Sequence, residues 1–250
     1  MKTLILVVAL AVAVPASAAE ISALAAAAVQ GPLLILVDSF KQQAGHTVTV
    51  QLDTMPNIAR RLAAGETADV LIATAAGMDQ AIKDGKALTD TRLTIGRIGI
   101  GVSVSRGGRR ADVSSVDALK VAILQADTVL VSQGTSGVYI RKMLADMGIL
   151  DQIKAKIVEM PSGVALMERL GTAGRNEIGF TAVSEGKRGD AAGGGTFSGS
   201  LPAAIQNFTE YQAAVTSASR ESNAARQFVR TLSGPAARRL LVENGWDVQE

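Results

Sequence analysis

The chain has 250 residues, 48% hydrophobic and 19% charged, enough apolar material for one or two globular domains with a proper core. Its formal charge of +2 is not gathered into one long basic patch, which argues against nucleic acid as a partner. With no cysteine there is no disulfide framework or thiolate metal site, and with one histidine, His46, a histidine metal cluster or a Ser-His-Asp triad has almost nothing to build on.

Residues 1–19 read as a cleaved secretory signal. Lys2 supplies a positive start, an apolar run follows over 4–14, and Ala16-Ser17-Ala18-Ala19 provides small residues for cleavage after Ala18 or Ala19. The run is too short to span a bilayer, and no cysteine follows to carry a lipid. The mature chain is therefore expected outside the cytoplasm, in the periplasm, as a monomer that is not membrane-embedded.

A strand is predicted over 21–25, then a loop over 26–31 and a helix headed by Pro32, whose missing N–H costs nothing there. Leu33, Leu36, Val37 and Phe40 recur at helical spacing until Gly45. His46 has a turn role before a strand over 46–52. A loop over 53–57 leads to a helix over 58–62, stopped by Gly65, then a buried strand over 69–73 and a helix over 77–83. This β-α-β-α-β-α order implies a parallel sheet with right-handed crossovers.

The long alternating stretch 94–105 contains three glycines and reads as a strand that bends while passing between two lobes. Gly107-Gly108-Arg109-Arg110 is a solvated turn, and a helix over 116–125 is capped by Ser114 or Ser115. The β-branched run 128–131 is followed by Ser132-Gln133-Gly134-Thr135-Ser136-Gly137 and a helix with Ser136 or Thr135 as N-cap. A strand over 156–158, a loop 160–163, a helix through Leu170 and a strand over 177–181 repeat the alternation. Residues 186–199 read as an exposed glycine-rich loop, 211–215 as a strand crossing back, and 221–232 and 235–243 as helices packed on the first lobe. The expected division is 20–97 with 214–250 as lobe 1, and 98–213 as lobe 2.

Four helix starts carry small or polar residues: 28–32, 55–58, 135–138 and 162–164. In α/β sheets ligands sit beyond the carboxyl ends of the strands, where such helices begin. The first amides of a helix lack partners, and each terminus favours an anion by about 0.3–1 kcal/mol when exposed and up to about 2 when partly buried. Four of them facing one cleft would hold a small dianion without arginine or lysine, and contact with both lobes would close the cleft.

Several segments carry a family likeness: Ile21-Ser22-Ala23-Leu24 with the alanines 25–28, the run Ala59-Arg60-Arg61-Leu62-Ala63-Ala64-Gly65 through Val70, and Gly137-Val138-Tyr139 through Leu144 followed by Leu150-Asp151-Gln152-Ile153. In them the chain resembles the periplasmic molybdate-binding proteins, a branch of the type II solute-binding proteins of ABC importers. The resemblance implies an α/β, two-lobed type II periplasmic binding protein fold, each lobe a mostly parallel sheet flanked by helices. It also implies an anionic ligand, an importer permease as partner, and neither cofactor nor metal.

Three family positions that donate hydroxyls to the oxyanion differ. Ala28 stands for a serine, Met55-Pro56-Asn57 for consecutive serines, and Ala182 for a tyrosine. Each lost bond to a charged ligand costs about 1.5–3 kcal/mol, so other groups must substitute. The ligand-binding set is therefore the Ala27, Ala28, Gly163 and Val164 backbone with Asn57, Thr135, Ser136, Thr181 and Tyr139, and Arg60 and Arg141 assist a carboxylate if they reach the cleft. The ligand stays open between a molybdate-like oxyanion and an organic carboxylate. The alternative is a cofactor-independent isomerase of a polycarboxylate, since the resemblance extends to periplasmic aconitate isomerase; its candidate bases are Asp53, Tyr139 and Glu185.

Overall fold

The computed structural model describes residues 18–172, 174 and 176–248; the signal read at 1–19 falls, except for its last two residues, outside them. The first half of the chain forms β1 (Glu20–Ala26), α1 (Gln30–Ala44), β2 (Thr47–Asp53), α2 (Met55–Ala63), β3 (Val70–Thr74), α3 (Ala75–Lys83) and β4 (Leu93–Ile98). Then come β5 (Ile100–Val104), α4 (Val116–Gln125), β6 (Thr128–Ser132), α5 (Thr135–Asp146), α6 (Leu150–Ile153), β7 (Ile157–Met160), α7 (Gly163–Thr172), β8 (Glu177–Ala182), α8 (Val183–Ala191) and β9 (Thr196–Ser200). The chain ends with β10 (Thr209–Val215), α9 (Ser222–Thr231), α10 (Pro235–Glu243) and β11 (Trp246–Asp247).

These strands build two sheets, ordered β11-β4-β10-β3-β1-β2 and β7-β6-β8-β5-β9. Strands β2, β1 and β3 run parallel, as do β7, β6 and β8. Their central members are buried on both faces, which is why 70–73 and 129–131 read as unbroken apolar runs. The sheets are nevertheless mixed rather than mostly parallel. Strands β10, β4 and β11 join the first antiparallel, and β5 and β9 do the same in the second. A strand entering a sheet from the other lobe is not bound by the right-handed crossover that makes its neighbours parallel.

The bend expected in 94–105 falls at Gly99, between β4 of one sheet and β5 of the other. There Gln206 clips the outgoing and returning segments together: its Oε1 accepts from the Ile100 amide at 2.7 Å and its Nε2 donates to the Ile100 carbonyl at 3.0 Å. A Cβ on Gly99 would meet the Gln206 amide carbon at 2.9 Å, so a larger residue there would have to displace this clip. The return crossing is complete by Thr209, where β10 already pairs with β4, earlier than the expected boundary at 214.

The stretch 186–199 is not a loop. It holds the end of α8 and the edge strand β9. A Cβ on Gly186 would meet the Phe197 ring at 2.8 Å, and one on Gly189 the Met167 side chain at 2.6 Å. The glycines that suggested a loop let a helix backbone lie close against its neighbours, and packing overrides their poor propensity. Helices α9 and α10 do pack on the first lobe, placing Phe228, Val229, Leu232 and Leu241 in one core with Leu33, Leu36 and Phe40. Among the described residues, no helix is long and apolar enough to cross a membrane.

Two polar groups tie the first lobe. His46 keeps the turn role read for it: its Nδ1 accepts from the Ala19 amide at 3.0 Å and its ring lies 5.8 Å from Phe40. Asp69 accepts from the Ser22 amide at 2.8 Å and from the Ser22 and Ser219 hydroxyls. Burial pushes the Asp69 carboxyl up, but these bonds outweigh it and hold it below the usual carboxylate range. The unfolded state then binds the proton more readily, so the stability Asp69 contributes is complete above the unfolded pKa and lost as pH falls through the folded one. Asp69→Asn should flatten the acid limb of stability below pH about 4 in urea titrations; an unchanged limb would contradict the assignment.

Candidate functional site

A cleft between the lobes gathers the strand-to-helix turns of both. From the first lobe it takes Ala26, Ala27 and Ala28 after β1, and Asp53, Thr54 and Met55 after β2. From the second come Ser132, Gly134, Thr135 and Ser136 after β6, Ser162 and Gly163 after β7, and Ala182 and Glu185 after β8. Ile98, Gly99 and Ile100 of the crossing, with Thr209 and Tyr211 of β10, complete the lining. All four helix starts singled out in the sequence thus contribute residues to one cavity, at the carboxyl ends of the parallel strands.

These starts are short of side-chain caps. Ala26, before the 3-10 turn Ala27–Val29, and Gly134, the N-cap of α5, have no capping oxygen, and Thr54 at the head of α2 makes no capping bond. The α5 N-cap is therefore Gly134 rather than Thr135 or Ser136: the helix begins one residue earlier than the hydroxyls suggested. Ser136 Oγ instead lies 3.1 Å from Ser132 Oγ across the turn. At α7, Ser162 Oγ accepts from the Ala165 amide at 3.2 Å, leaving the Gly163 and Val164 amides without an intrahelical partner. Helix α2 begins at Met55 rather than at residue 58, with Pro56 in its first turn where a missing N–H is harmless.

Of the residues expected to bind, the structure brings Ala27, Ala28, Thr135, Ser136 and Gly163 into the cleft. Three others are committed elsewhere, and a fourth, Val164, turns its side chain away. Asn57 donates to Asp53 Oδ1 at 2.6 Å and accepts from Arg60, so its amide is spent on the end of β2 and on its own helix. The Tyr139 hydroxyl donates to the Ile205 carbonyl at 2.9 Å. Thr181 is fully buried, its hydroxyl donating to the Ala182 carbonyl at 3.1 Å, because β8 turns that face into the core. The Val164 side chain lines the groove between α7 and α8, while the group expected to contribute, its backbone amide, stands at the α7 start beside Gly163.

Neither arginine reaches the ligand space. Arg60 is exposed on α2, and Arg141 pairs with Glu159 and the Gly137 carbonyl. Among the described residues, no lysine, arginine or histidine lines the cleft. Asp53 faces it with Oδ1 engaged by the Thr54 amide at 2.8 Å and by Asn57.

Sequence reasoning missed Tyr211 as a cleft residue, and its only signal was an aromatic at the start of the predicted returning strand. Glu185, weighed only as a base, is buried here, with Oε2 accepting from the Ala182 amide at 3.2 Å. Burial pushes its carboxyl above the usual range, against the opposing pull of that amide and of Arg188. The Tyr211 phenol is pushed up too, first by burial and then by Glu185.

The lobes are drawn together beside this space: the Ser184 hydroxyl of α8 donates to the Ala28 carbonyl at 3.0 Å, and Val183 packs into the first lobe's core. Two α/β lobes joined by crossing strands, with helix starts lining the cleft between them, define a two-lobed binding protein. The chain belongs to the bacterial extracellular solute-binding protein family, whose sequence model matches residues 21–247. It is similar to an aconitate isomerase from a Pseudomonas species, 30% identical over 196 residues, spanning 77% of this chain and 72% of that protein. In structure it is similar to the periplasmic molybdate-binding protein of Azotobacter vinelandii, with a TM-score of 0.79 at 20% identity over 92% of this chain and 100% of that one. The sulfate-binding protein of Mycobacterium tuberculosis gives 0.71 at 16% identity, covering 91% of this chain and 86% of that one. The two-lobed solute-binding fold that the sequence resemblance implied is the fold found.

Proposed function

We propose that this protein captures a small anion between its lobes, in the periplasm, and delivers it to the permease of an ABC importer. One observation carries the reading: four helix starts, three of them without a side-chain cap, meet in a cleft that no cationic side chain lines among the described residues. Main-chain amides are then the donors, assisted by the Thr135 and Ser136 hydroxyls, and positive helix ends supply the charge complement. The cavity volume is about 40 Å3, and one water needs roughly 10–15 Å3, so this closure suits a small oxyanion better than a tricarboxylate.

A second reading, a cofactor-independent isomerase acting on a polycarboxylate, draws on the aconitate isomerase relative and on a carboxyl group, Glu185, buried beside the ligand space. One titration series separates the two. Thermal unfolding is followed with molybdate, tungstate, sulfate, phosphate and trans-aconitate, and trans-aconitate is also watched by NMR for conversion to cis-aconitate. A ligand at one hundred times its Kd stabilises by about 2.7 kcal/mol, a rise in Tm of about 5–10 °C for a chain of this size. Such a shift with an inorganic oxyanion and no turnover supports capture. Turnover establishes the enzyme, and no shift with any anion at millimolar levels removes the capture reading.

A further inference from the structure

Beside the starts of α7 and α8, two hydroxyl-bearing groups line the same cleft from different elements. Tyr211 comes from β10 of the first lobe and Glu185 from the first turn of α8 of the second. Tyr211 is 4% exposed, its ring set edge-on to Trp246 with centroids 5.4 Å apart. The Tyr139 hydroxyl is committed to a carbonyl, whereas that of Tyr211 makes no hydrogen bond among the described residues, although its side chain is buried and lines the cavity. The phenol oxygen itself keeps access to the cavity, where a ligand oxygen or a water can accept from it.

Glu185 is held just as tightly. Its carboxyl sits against the first residue of α7, where a Cβ on Gly163 would fall 2.3 Å from Oε2. It closes half a capping box, since Ala182 has no side chain to return the bond. Among the described residues no cation forms an ion pair with it; Arg188, on its own helix, lies in the groove behind the cleft, which Glu185 also lines.

We propose that Glu185, as a carboxylic acid, and Tyr211, as a phenol, form a pair of neutral O–H donors that grips one oxygen of the bound anion, so that capture is linked to a proton. The proposal rests on the anion-capture reading and names what the ligand must offer: a face of bare oxygen acceptors carrying no proton of its own. Two neutral donors add hydrogen bonds without adding positive charge, which lets a cation-free cleft discriminate by acceptor geometry. An ionised Glu185 would instead repel the ligand. Burial supports the neutral form. The groups facing Glu185 are Tyr211 from β10, Asp53 across the cleft, Arg188 on its own helix, and Glu168 of α7 with Arg106 in the groove behind.

Calorimetric titration of the purified protein with sodium sulfate and with sodium molybdate, from pH 6 to 9.5, tests this. Wild-type affinity should fall about tenfold per pH unit once Glu185 ionises, since the free protein then binds one proton fewer than the complex. Glu185→Gln keeps a neutral donor and an acceptor for the Ala182 amide. It should match wild-type affinity at pH 6 and lose the pH dependence, whereas Glu185→Ala should lose affinity at every pH. Tyr211→Phe keeps the ring on Trp246 and should bind about tenfold more weakly or worse throughout. A wild-type affinity independent of pH, or a Tyr211→Phe variant that binds like wild type, overturns the proposal while anion capture stands. If wild type binds neither salt, the capture reading fails first, and the pair is judged by the 13C carboxyl resonance of Glu185, assigned by its loss in Glu185→Gln. A resonance titrating in the ordinary carboxylate range overturns the pair, and one that titrates well above it upholds the carboxylic acid.

Discussion

Gly137→Ala should weaken anion capture by about 100-fold or more while leaving both lobes folded. A Cβ at this position would lie 1.7 Å from the Ser132 carbonyl oxygen and 2.8 Å from its carbon. The obstacle is backbone, so no rotamer change relieves it. Helix α5 must swing away from β6, and with it the Thr135 and Ser136 amides that line the cleft. Overpacking of this kind costs about 1–3 kcal/mol of stability. Losing two amide bonds to a charged ligand, at about 1.5 kcal/mol each or more, weakens binding by about 100-fold or more. Gly148, near the far end of α5, provides the control. Its φ of 68° makes alanine costly there, by about 1–2 kcal/mol, but nothing lies within 4 Å of the added carbon. Gly148→Ala should therefore destabilise comparably and bind normally. Equal anion affinities for the two variants, measured by calorimetry, would mean that the α5 start does not hold the ligand.

Arg169→Met should be among the most destabilising single changes in the chain, without touching the cleft. Glu177 opens β8 with its side chain only 1% exposed, and Arg169 of α7 holds it from two sides: Nη2 to Oε1 at 2.8 Å and Nε to Oε2 at 3.3 Å. The bond to Glu177 raises the Arg169 pKa despite the opposing effect of burial. Removing the arginine leaves a buried carboxylate without its charge partner, a loss of about 3–5 kcal/mol. For a chain of this size that lowers Tm by about 6–20 °C. The double variant Arg169→Met with Glu177→Leu removes both charges and should recover most of the loss. A single variant within about 1 kcal/mol of wild type in denaturant unfolding would show that solvent already reaches Glu177.

Much of the site was legible because its chemistry is local. The turn from β6 into α5 needs small residues, and the run from Ser132 to Gly137 announces them. The alanines 26–28, Ser162 and Gly163 likewise mark places where a strand ends and a helix begins. Side-chain direction was not legible. Asn57 and Thr181 have polar groups in the right segments, yet one is spent on Asp53 and the other on its neighbour's carbonyl. Tyr139 lies on the expected helix and turns to Ile205. Tyr211 entered the cleft because β10 runs antiparallel between β3 and β4, with its register shifting just after Tyr211, and no local pattern encodes that pairing.

The sequence by itself determined the alternation of strands and helices, the crossing near Gly99, the docking of the last two helices on the first lobe and the character of the helix starts. These follow from periodicity, caps and turn residues, which act over a few neighbouring positions. Only the tertiary structure decided that the sheets are mixed, that the glycines of 186–199 belong partly to a packed helix, and that Glu185 and Tyr211 line the same cleft. Those outcomes depend on which distant strands pair and which surfaces exclude water together, and a raised carboxyl pKa exists only once burial has taken most of the water away.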